Sequence, residues 1–143
     1  MQGSPQACIW LIPALSPRVH HDPVRAELTR LGKAGLLATC VAVDLEVLYS
    51  AWDPAGYTRT ASLRTAGFTD LPPTPQIAQR ARQIQAMLAR RSQHRAAGGA
   101  DILTAAIAEH YGAIVLYYDT DFDHIATVSG PQTRWVVPCG TVK

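Results

Sequence analysis

The segment at residues 98–126 constrains the fold most, because a helix, a strand and a row of acids follow one another there. Asp101 opens an apolar, alanine-rich stretch that predicts a helix ending at Tyr111. Gly112 comes next, as is typical after a helix, because glycine adopts the left-handed conformation without a Cβ clash. Residues 113–118 then form a continuous apolar run, which predicts a strand buried on both faces of a parallel sheet.

Three acids follow that strand directly: Asp119, Asp121 and Asp123. Open α/β sheets place their sites at the carboxyl ends of strands, and Mg²⁺ or Mn²⁺ prefers carboxylate and water oxygens as ligands. Each feature also has a simpler interpretation. Asp101 can be an N-cap or first-turn acid that complements the helix dipole, and the three later acids can form a solvated turn.

Another acid, Glu46, lies among aliphatic neighbours in a helix predicted for residues 41–51. Asp44 is interpreted as its capping or first-turn companion. A buried glutamate is costly unless it is paired or bound to a metal, so we expect Glu46 to be buried and engaged. If this helix packs beside the carboxyl edge of the sheet, Glu46 can meet Asp101 and Asp119. Three acids from three elements suit a metal-dependent phosphodiesterase.

The rest of the chain alternates predicted helices with short strands. Helices are predicted for residues 23–33, 41–51, 55–67 and 75–92, strands for residues 7–12, 36–40 and 134–138, and an edge strand or loop for residues 68–74. The longest helix carries a core stripe at helical spacing: Ile77, Ala81, Ile84 and Leu88. At 143 residues, this pattern predicts one α/β domain with a mostly parallel sheet and helices on both faces.

The other face of the longest helix, with the residues after it, is basic: Arg80, Arg82, Arg90, Arg91, His94 and Arg95. Two interpretations stay open, a solvated helix face or a patch that follows a phosphate backbone beside the acids. The net charge of +2 does not decide between them.

Cysteine usage and hydropathy predict the compartment. Cys8, Cys40 and Cys139 are odd in number and widely spaced, so we expect neither a disulfide framework nor a zinc knuckle, and a reducing environment is the default. No apolar run is long enough to cross a bilayer, and the N-terminus lacks a signal-peptide pattern. With 48% hydrophobic and 17% charged residues, we expect a compact cytoplasmic protein that does not contact membranes.

Several segments together resemble VapC-type PIN-domain toxins: Leu45-Glu-Val-Leu-Tyr-Ser-Ala, Gln93-His-Arg with Asp101-Ile-Leu-Thr-Ala-Ala-Ile-Ala-Glu-His, Val115-Leu-Tyr-Tyr-Asp-Thr-Asp-Phe-Asp-His-Ile-Ala and Trp135-Val-Val-Pro. The resemblance implies a single PIN-like three-layer domain over residues 1–143. It also implies a Mg²⁺- or Mn²⁺-dependent endoribonuclease, the toxin of a type II toxin–antitoxin system, which hydrolyses RNA phosphodiester bonds. Such toxins are commonly homodimers, and a cognate VapB-like antitoxin neutralises them.

The resemblance also assigns roles to individual acids. By position, Glu46, Asp101 and Asp119 match the family's second, third and fourth acids, which implies that they are catalytic and hold the metal. Asp121 matches a supporting acid that acts through water. In this interpretation the ion activates the hydrolytic water.

The same interpretation gives the basic patch a role. Arg90, Arg91 and Arg95 are expected to hold the RNA backbone near the acids.

The chain departs from the family pattern near its N-terminus. In the family, the first strand ends in an aspartate followed by Thr or Lys and then Ser, and that aspartate is a central metal ligand. Residues 9–19 contain no acid here, and counting back from His20 puts Ile12 at the aspartate's position. Isoleucine cannot bind Mg²⁺, so we expect the chain as written to cleave weakly or not at all.

A shifted reading frame explains this departure. Codons allowed for residues 10–17, read one base out of register, can encode Leu-Ala-Asp-Thr-Ser-Ala-Leu-Ala, which restores the missing aspartate. Removing one C near Pro17 rejoins the frame at Arg18. Our hypothesis is that residues 1–17 come from a shifted frame, through mutation or a sequencing error.

Two other functions compete with an active nuclease. A catalytically inactive PIN-fold protein could bind antitoxin without cleaving RNA. A receiver-like phospho-acceptor domain would need an acid pair after the first strand and a lysine after the last, and the sequence has neither.

Overall fold

The structure, a computed structural model, describes residues 10–11, 22–117 and 132–135. These residues form the strands β1 (Trp10–Leu11), β2 (Leu37–Thr39), β3 (Thr69–Asp70), β4 (Ile114–Tyr117) and β5 (Gln132–Trp135). They also form the helices α1 (Asp22–Lys33), α2 (Val41–Tyr49), α3 (Pro54–Gly67), α4 (Pro75–Arg90) and α5 (Gly99–Tyr111).

The strands form one sheet in the order β3-β2-β1-β4-β5, and every neighbouring pair is parallel. The short strand β1 lies in the middle, where Leu11 is in register with Ala38 of β2 and Val115 of β4. Because all strands run the same way, their carboxyl ends meet at one edge, where α/β sheets place their sites. The predicted three-layer α/β domain with a parallel sheet is confirmed.

The core forms where α4 and α5 pack against each other and the sheet. Ile77, Ile84 and Leu88 of α4 are fully buried, which confirms the predicted core stripe. Helix α5 contributes a run of small and aliphatic side chains that lets the two helices approach closely: Ala105, Ala106, Ile107 and Ala108. This packing fixes α5, and with it the position of its first turn.

The predicted helix boundaries differ from the structure by up to two residues. Helix α2 ends at Tyr49 with Ser50 as its C-cap, and the Ser50 hydroxyl donates a hydrogen bond to the Val47 carbonyl at 2.8 Å. Asp53 caps the next helix, α3, where its Oδ1 accepts a hydrogen bond from the Gly56 amide at 2.6 Å. Helix α5 begins at Gly99, with Gly98 as its N-cap. The prediction that Asp101 opens this helix was therefore wrong. Asp101 is an acid of the first turn, where a carboxylate complements the helix dipole.

Helices α4 and α5 end in the same left-handed turn, built from different residues. In α5 the turn residue is Gly112 with φ 65°, as predicted, and the next amide bonds to the Ala108 carbonyl. In α4 the turn residue is Ser92 with φ 56°. The Gln93 amide donates to the Leu88 carbonyl at 2.8 Å, which completes the motif. A serine there adopts a conformation that glycine adopts without steric cost.

Replacing Ser92 with glycine is therefore expected to raise the free energy of unfolding by about 0.5–1 kcal/mol, because the left-handed strain is relieved. Urea denaturation measures this change through the transition midpoint. The matched control is Ser62→Gly within α3, where glycine only adds backbone freedom and lowers the free energy by a similar amount. A destabilised Ser92→Gly variant would contradict the assignment.

Candidate active site

Glu46 lies on α2, which begins directly after β2 at the carboxyl edge of the sheet. Its side chain is exposed, and the adjacent Leu45 is 64% exposed. The prediction of a buried Glu46 was wrong. Helix α2 packs against the core through Ala42, Val43 and Val47, so the face that carries Glu46 turns outward.

Glu46 opens into a groove of about 620 Å³ between α2 and α5. The groove is lined by Ala42, Leu45, Glu46, Tyr49, Gly99, Ala100 and Leu103. Glu46 is the charged member of this otherwise apolar lining. The opposite wall is the first turn of α5, the turn that also contains Asp101.

Asp101 is partly buried and takes part in a polar or electrostatic interaction. The structure thus brings the elements of two predicted site residues, Glu46 and Asp101, against each other. Asp119, Asp121 and Asp123, as well as Ile12, lie outside the described residues. Strand β4 ends with Tyr117 at the same sheet edge, and Asp119 comes two positions later in the sequence.

The donor chemistry of the described residues fits a hard divalent cation in part. Glu46 and Asp101 offer carboxylate oxygens, the ligand type that Mg²⁺ and Mn²⁺ prefer. Among residues 10–11, 22–117 and 132–135, no group of three or more His, Cys, Asp or Glu side chains could hold a metal ion.

Asp44 has a different role from Glu46, although it lies only two residues away. Its Oδ1 accepts a hydrogen bond from the Thr39 hydroxyl at 2.7 Å and another from Arg64 Nε at 2.6 Å. Asp44 is a first-turn acid of α2, as one interpretation held, but it pairs with Arg64 rather than accompanying Glu46. Sequence reasoning missed Thr39 and Arg64, because no local pattern links positions so far apart.

Cys40 does not add a metal ligand to this site. Its side chain is buried, and its Sγ lies 3.9 Å from the Thr104 hydroxyl. Burial raises the pKa of the Cys40 thiol, so the thiol stays protonated near neutral pH. Metals bind the thiolate rather than the thiol.

One arginine of the basic patch, Arg80, forms an ion pair within the fold. Arg80 Nε lies 3.0 Å from Glu109 Oε1, so this arginine joins α4 to α5. The other arginines of the patch are exposed at the surface: Arg82, Arg90, Arg91 and Arg95. Three of them, Arg90, Arg91 and Arg95, lie at the end of α4 or in the turn before α5.

No helix in the described part of the chain is both long and apolar enough to cross a membrane.

The sequence model of the PIN domain matches residues 6–128. The chain belongs to the PIN-domain family. Among the relatives of this PIN domain is Ribonuclease VapC51 of Mycobacterium tuberculosis, which is 40% identical over 125 residues, covering 87% of this chain and 90% of the relative. Ribonuclease VapC21 of the same species is 36% identical over 126 residues, with the same coverage of each chain. The expected VapC-type relationship is confirmed.

Solved structures show the same fold. The VapBC2 complex of Rickettsia felis, bound to a promoter DNA fragment, matches this PIN domain with a TM-score of 0.72 at 14% identity. That match covers 89% of this chain and 98% of the other. The DNA-bound VapBC of Salmonella typhimurium matches with a TM-score of 0.71 at 17% identity, covering 91% and 99%.

Proposed function

We propose that this PIN domain is a metal-dependent endoribonuclease and the toxin of a type II toxin–antitoxin system. The observation that carries the proposal is its relation over nearly full length to proteins named Ribonuclease VapC, at 36–40% identity. The position of Glu46 supports it, because the carboxylate is exposed in a groove at the sheet edge where α/β domains bind ligands.

In this proposal Glu46, Asp101 and Asp119 hold Mg²⁺ or Mn²⁺, and Asp121 supports them through water. When bound, such an ion polarises the scissile phosphate and lowers the pKa of an attacking water. The chain itself supplies the oxygen donors. Asp101 lies in the first turn of α5, at the positive end of the helix dipole.

The proposed partners are RNA, a VapB-like antitoxin and a second copy of this chain. The solved VapBC complexes with the same fold support the antitoxin. The end of α2 and the turn before α3 support protein partners, because Tyr49 is 92% exposed and Trp52 is fully exposed. Large apolar side chains left in solvent are typical of interaction surfaces.

A chelator tests the metal requirement directly. RNA cleavage by the chain with Ile12→Asp is expected to stop when EDTA removes divalent ions and to resume when Mn²⁺ is added in excess. Gel analysis of a labelled single-stranded RNA measures the rate. Cleavage that continues unchanged in EDTA would contradict metal dependence, whereas restoration by Mn²⁺ but not by Ca²⁺ would support it.

The second candidate function is antitoxin binding without cleavage. Ile12 at the position of the first-strand aspartate favours it for the chain as written, because isoleucine offers no oxygen ligand. Co-purification of the chain with the antitoxin encoded beside it, combined with no cleavage in Mn²⁺, would establish this function. Efficient cleavage by the chain as written would exclude it.

The proposed RNA contact by Arg90, Arg91 and Arg95 predicts a salt effect. Changing all three to glutamine is expected to reduce the slope of log affinity against log salt by up to about 2, since each phosphate contact on a single strand contributes roughly 0.7. Fluorescence anisotropy with labelled RNA in EDTA measures binding without cleavage. Arg25→Gln with Arg59→Gln, both exposed on other helices, is the control, and an equal slope for all variants would refute the patch.

A further inference from the structure

The two acids of α2 point to opposite sides of the helix. Positions 44 and 46 are about 200° apart around a helix axis. Glu46 lies on the face with Ala42 and Tyr49, which lines the groove toward α5. Asp44 lies on the face with Leu48, which lines a separate cavity beside α3. The rotation of α2 about its axis therefore decides whether Glu46 faces α5.

A closed set of three hydrogen bonds fastens the Asp44 side, and we call it the Asp44 clamp. The Thr39 hydroxyl and Arg64 Nε both donate to Asp44 Oδ1, at 2.7 and 2.6 Å. Arg64 Nη2 donates to Thr39 Oγ1 at 2.8 Å and closes the triangle. The clamp ties the last residue of β2, the first turn of α2 and the last turn of α3 to one another.

The clamp is partly sheltered from solvent. Thr39 is 3% exposed as a whole residue, and the Arg64 and Asp44 side chains are 13% and 32% exposed, so water competes for these hydrogen bonds mainly at the Asp44 carboxylate. The Arg64 guanidinium also lies 4.6 Å above the centre of the Phe68 ring, which restricts its position further.

Apart from the clamp, α2 is held by two buried side chains of its first turn and by Val47 against the core. The helix has nine residues, and its N-cap, Cys40, makes no side-chain capping hydrogen bond. Only Ala42 and Val43 among its residues are buried. Helices this short are marginal without tertiary contacts, so the hydrogen bonds of the clamp add to these contacts in fixing the orientation of α2.

We propose that Thr39, Asp44 and Arg64 are positioning residues for Glu46: the Asp44 clamp fixes the rotation of α2 and so holds the Glu46 carboxylate toward the first turn of α5. This inference rests on the proposed function in one respect, that Glu46 is a metal ligand. Asp44 does not itself contribute a ligand there, because it lines the separate cavity beside α3, where its Oδ1 accepts from Arg64 and Thr39.

A matched pair of substitutions at Thr39 tests the clamp. Thr39→Val keeps the shape and β-branch of a buried strand residue but removes the hydroxyl, whereas Thr39→Ser keeps the hydroxyl. In the full chain with Ile12→Asp, Thr39→Val is expected to raise the Kd for Mn²⁺, measured by electron paramagnetic resonance, about tenfold, as loss of an outer-shell contact does. Thr39→Ser is expected to keep the Kd within about twofold of the parent value.

Arg64→Met provides a second variant, with Arg59→Met on the exposed side of α3 as its control. Hydrogen exchange followed by mass spectrometry is expected to show at least roughly tenfold faster exchange of the α2 amides in Arg64→Met, with the α4 amides unchanged. The proposed positioning role of the clamp would be overturned if exchange of the α2 amides is unchanged. It would also be overturned if neither Thr39→Val nor Arg64→Met alters the Kd for Mn²⁺.

Glu46→Gln separates this failure from failure of the proposed function. A Glu46→Gln chain that binds Mn²⁺ as tightly as its parent would reject Glu46 as a ligand, and with it the proposed site. If Glu46→Gln binds Mn²⁺ more weakly but Thr39→Val leaves the Kd for Mn²⁺ unaltered, only the positioning role of the clamp is rejected.

Discussion

Replacing Ile12 with aspartate is expected to raise Mn²⁺-dependent RNA cleavage roughly 100-fold or more over the chain as written. The substitution adds a carboxylate directly after β1, the middle strand of the sheet, whose carboxyl end shares an edge with β2 and β4. A missing ligand of a catalytic metal removes several kcal/mol of transition-state stabilisation, and each 1.36 kcal/mol corresponds to a factor of ten in rate. Cleavage of a labelled RNA under single-turnover conditions measures the difference.

The control is Leu15→Asp, which adds the same charge in the same acid-free segment but not at the matched position. Its cleavage is expected to stay at the level of the chain as written. Equal, high activity of the chain as written and the Ile12→Asp chain would show that no first-strand carboxylate is needed. Sequencing the gene tests the origin of Ile12, because the frame hypothesis requires codons that encode Leu-Ala-Asp-Thr-Ser-Ala-Leu-Ala in the alternative frame.

Glu46→Gln in the Ile12→Asp chain is expected to lower the cleavage rate by roughly 100-fold or more, since glutamine keeps the shape but loses the charge that holds a divalent cation. Glu46 is exposed on α2 and makes little contact with the core, so stability is expected to stay within about 0.5 kcal/mol of the parent. Thermal unfolding alongside the nuclease assay separates these effects.

Glu27→Gln is the matched control for that experiment. Glu27 is a partly buried residue of α1 that pairs with the exposed Arg30 within the same helix, and such pairs at the surface contribute little to stability. Both its activity and its unfolding midpoint are expected to match the parent's. If Glu46→Gln keeps more than half of the activity, Glu46 is not a metal ligand.

Local chemistry explains which parts of the fold the sequence could predict. Residues 99–117 form the expected helix, glycine turn and strand, because each boundary depends on neighbouring residues such as Gly112. The parallel sheet followed from the alternation of helices and strands. Boundaries shifted by up to two residues where two helices follow each other closely, as at Ser50, the C-cap of α2, and Asp53, the N-cap of α3.

The site was predictable in composition but only partly in geometry. The acids Glu46 and Asp101 could be selected from their neighbours, and the structure places their helices against each other. The burial of Glu46 was predicted wrongly, because an apolar helix does not reveal which of its faces meets the core. The Asp44 clamp could not be predicted from the sequence, since Thr39 and Arg64 are 25 residues apart and meet only after the sheet and α3 have formed.

Because β1 lies in the middle of the sheet, its main chain can hold the fold together even where its side chains supply no ligand. Main-chain amides and carbonyls pair with both neighbouring strands whatever side chains they carry, so Trp10 and Leu11 complete the sheet with apolar residues alone. If a frame slip rewrote this segment, it would erase a ligand yet keep the architecture. Under the proposed second function, a cell that carries such an allele would make a folded protein that sequesters antitoxin and leaves RNA intact.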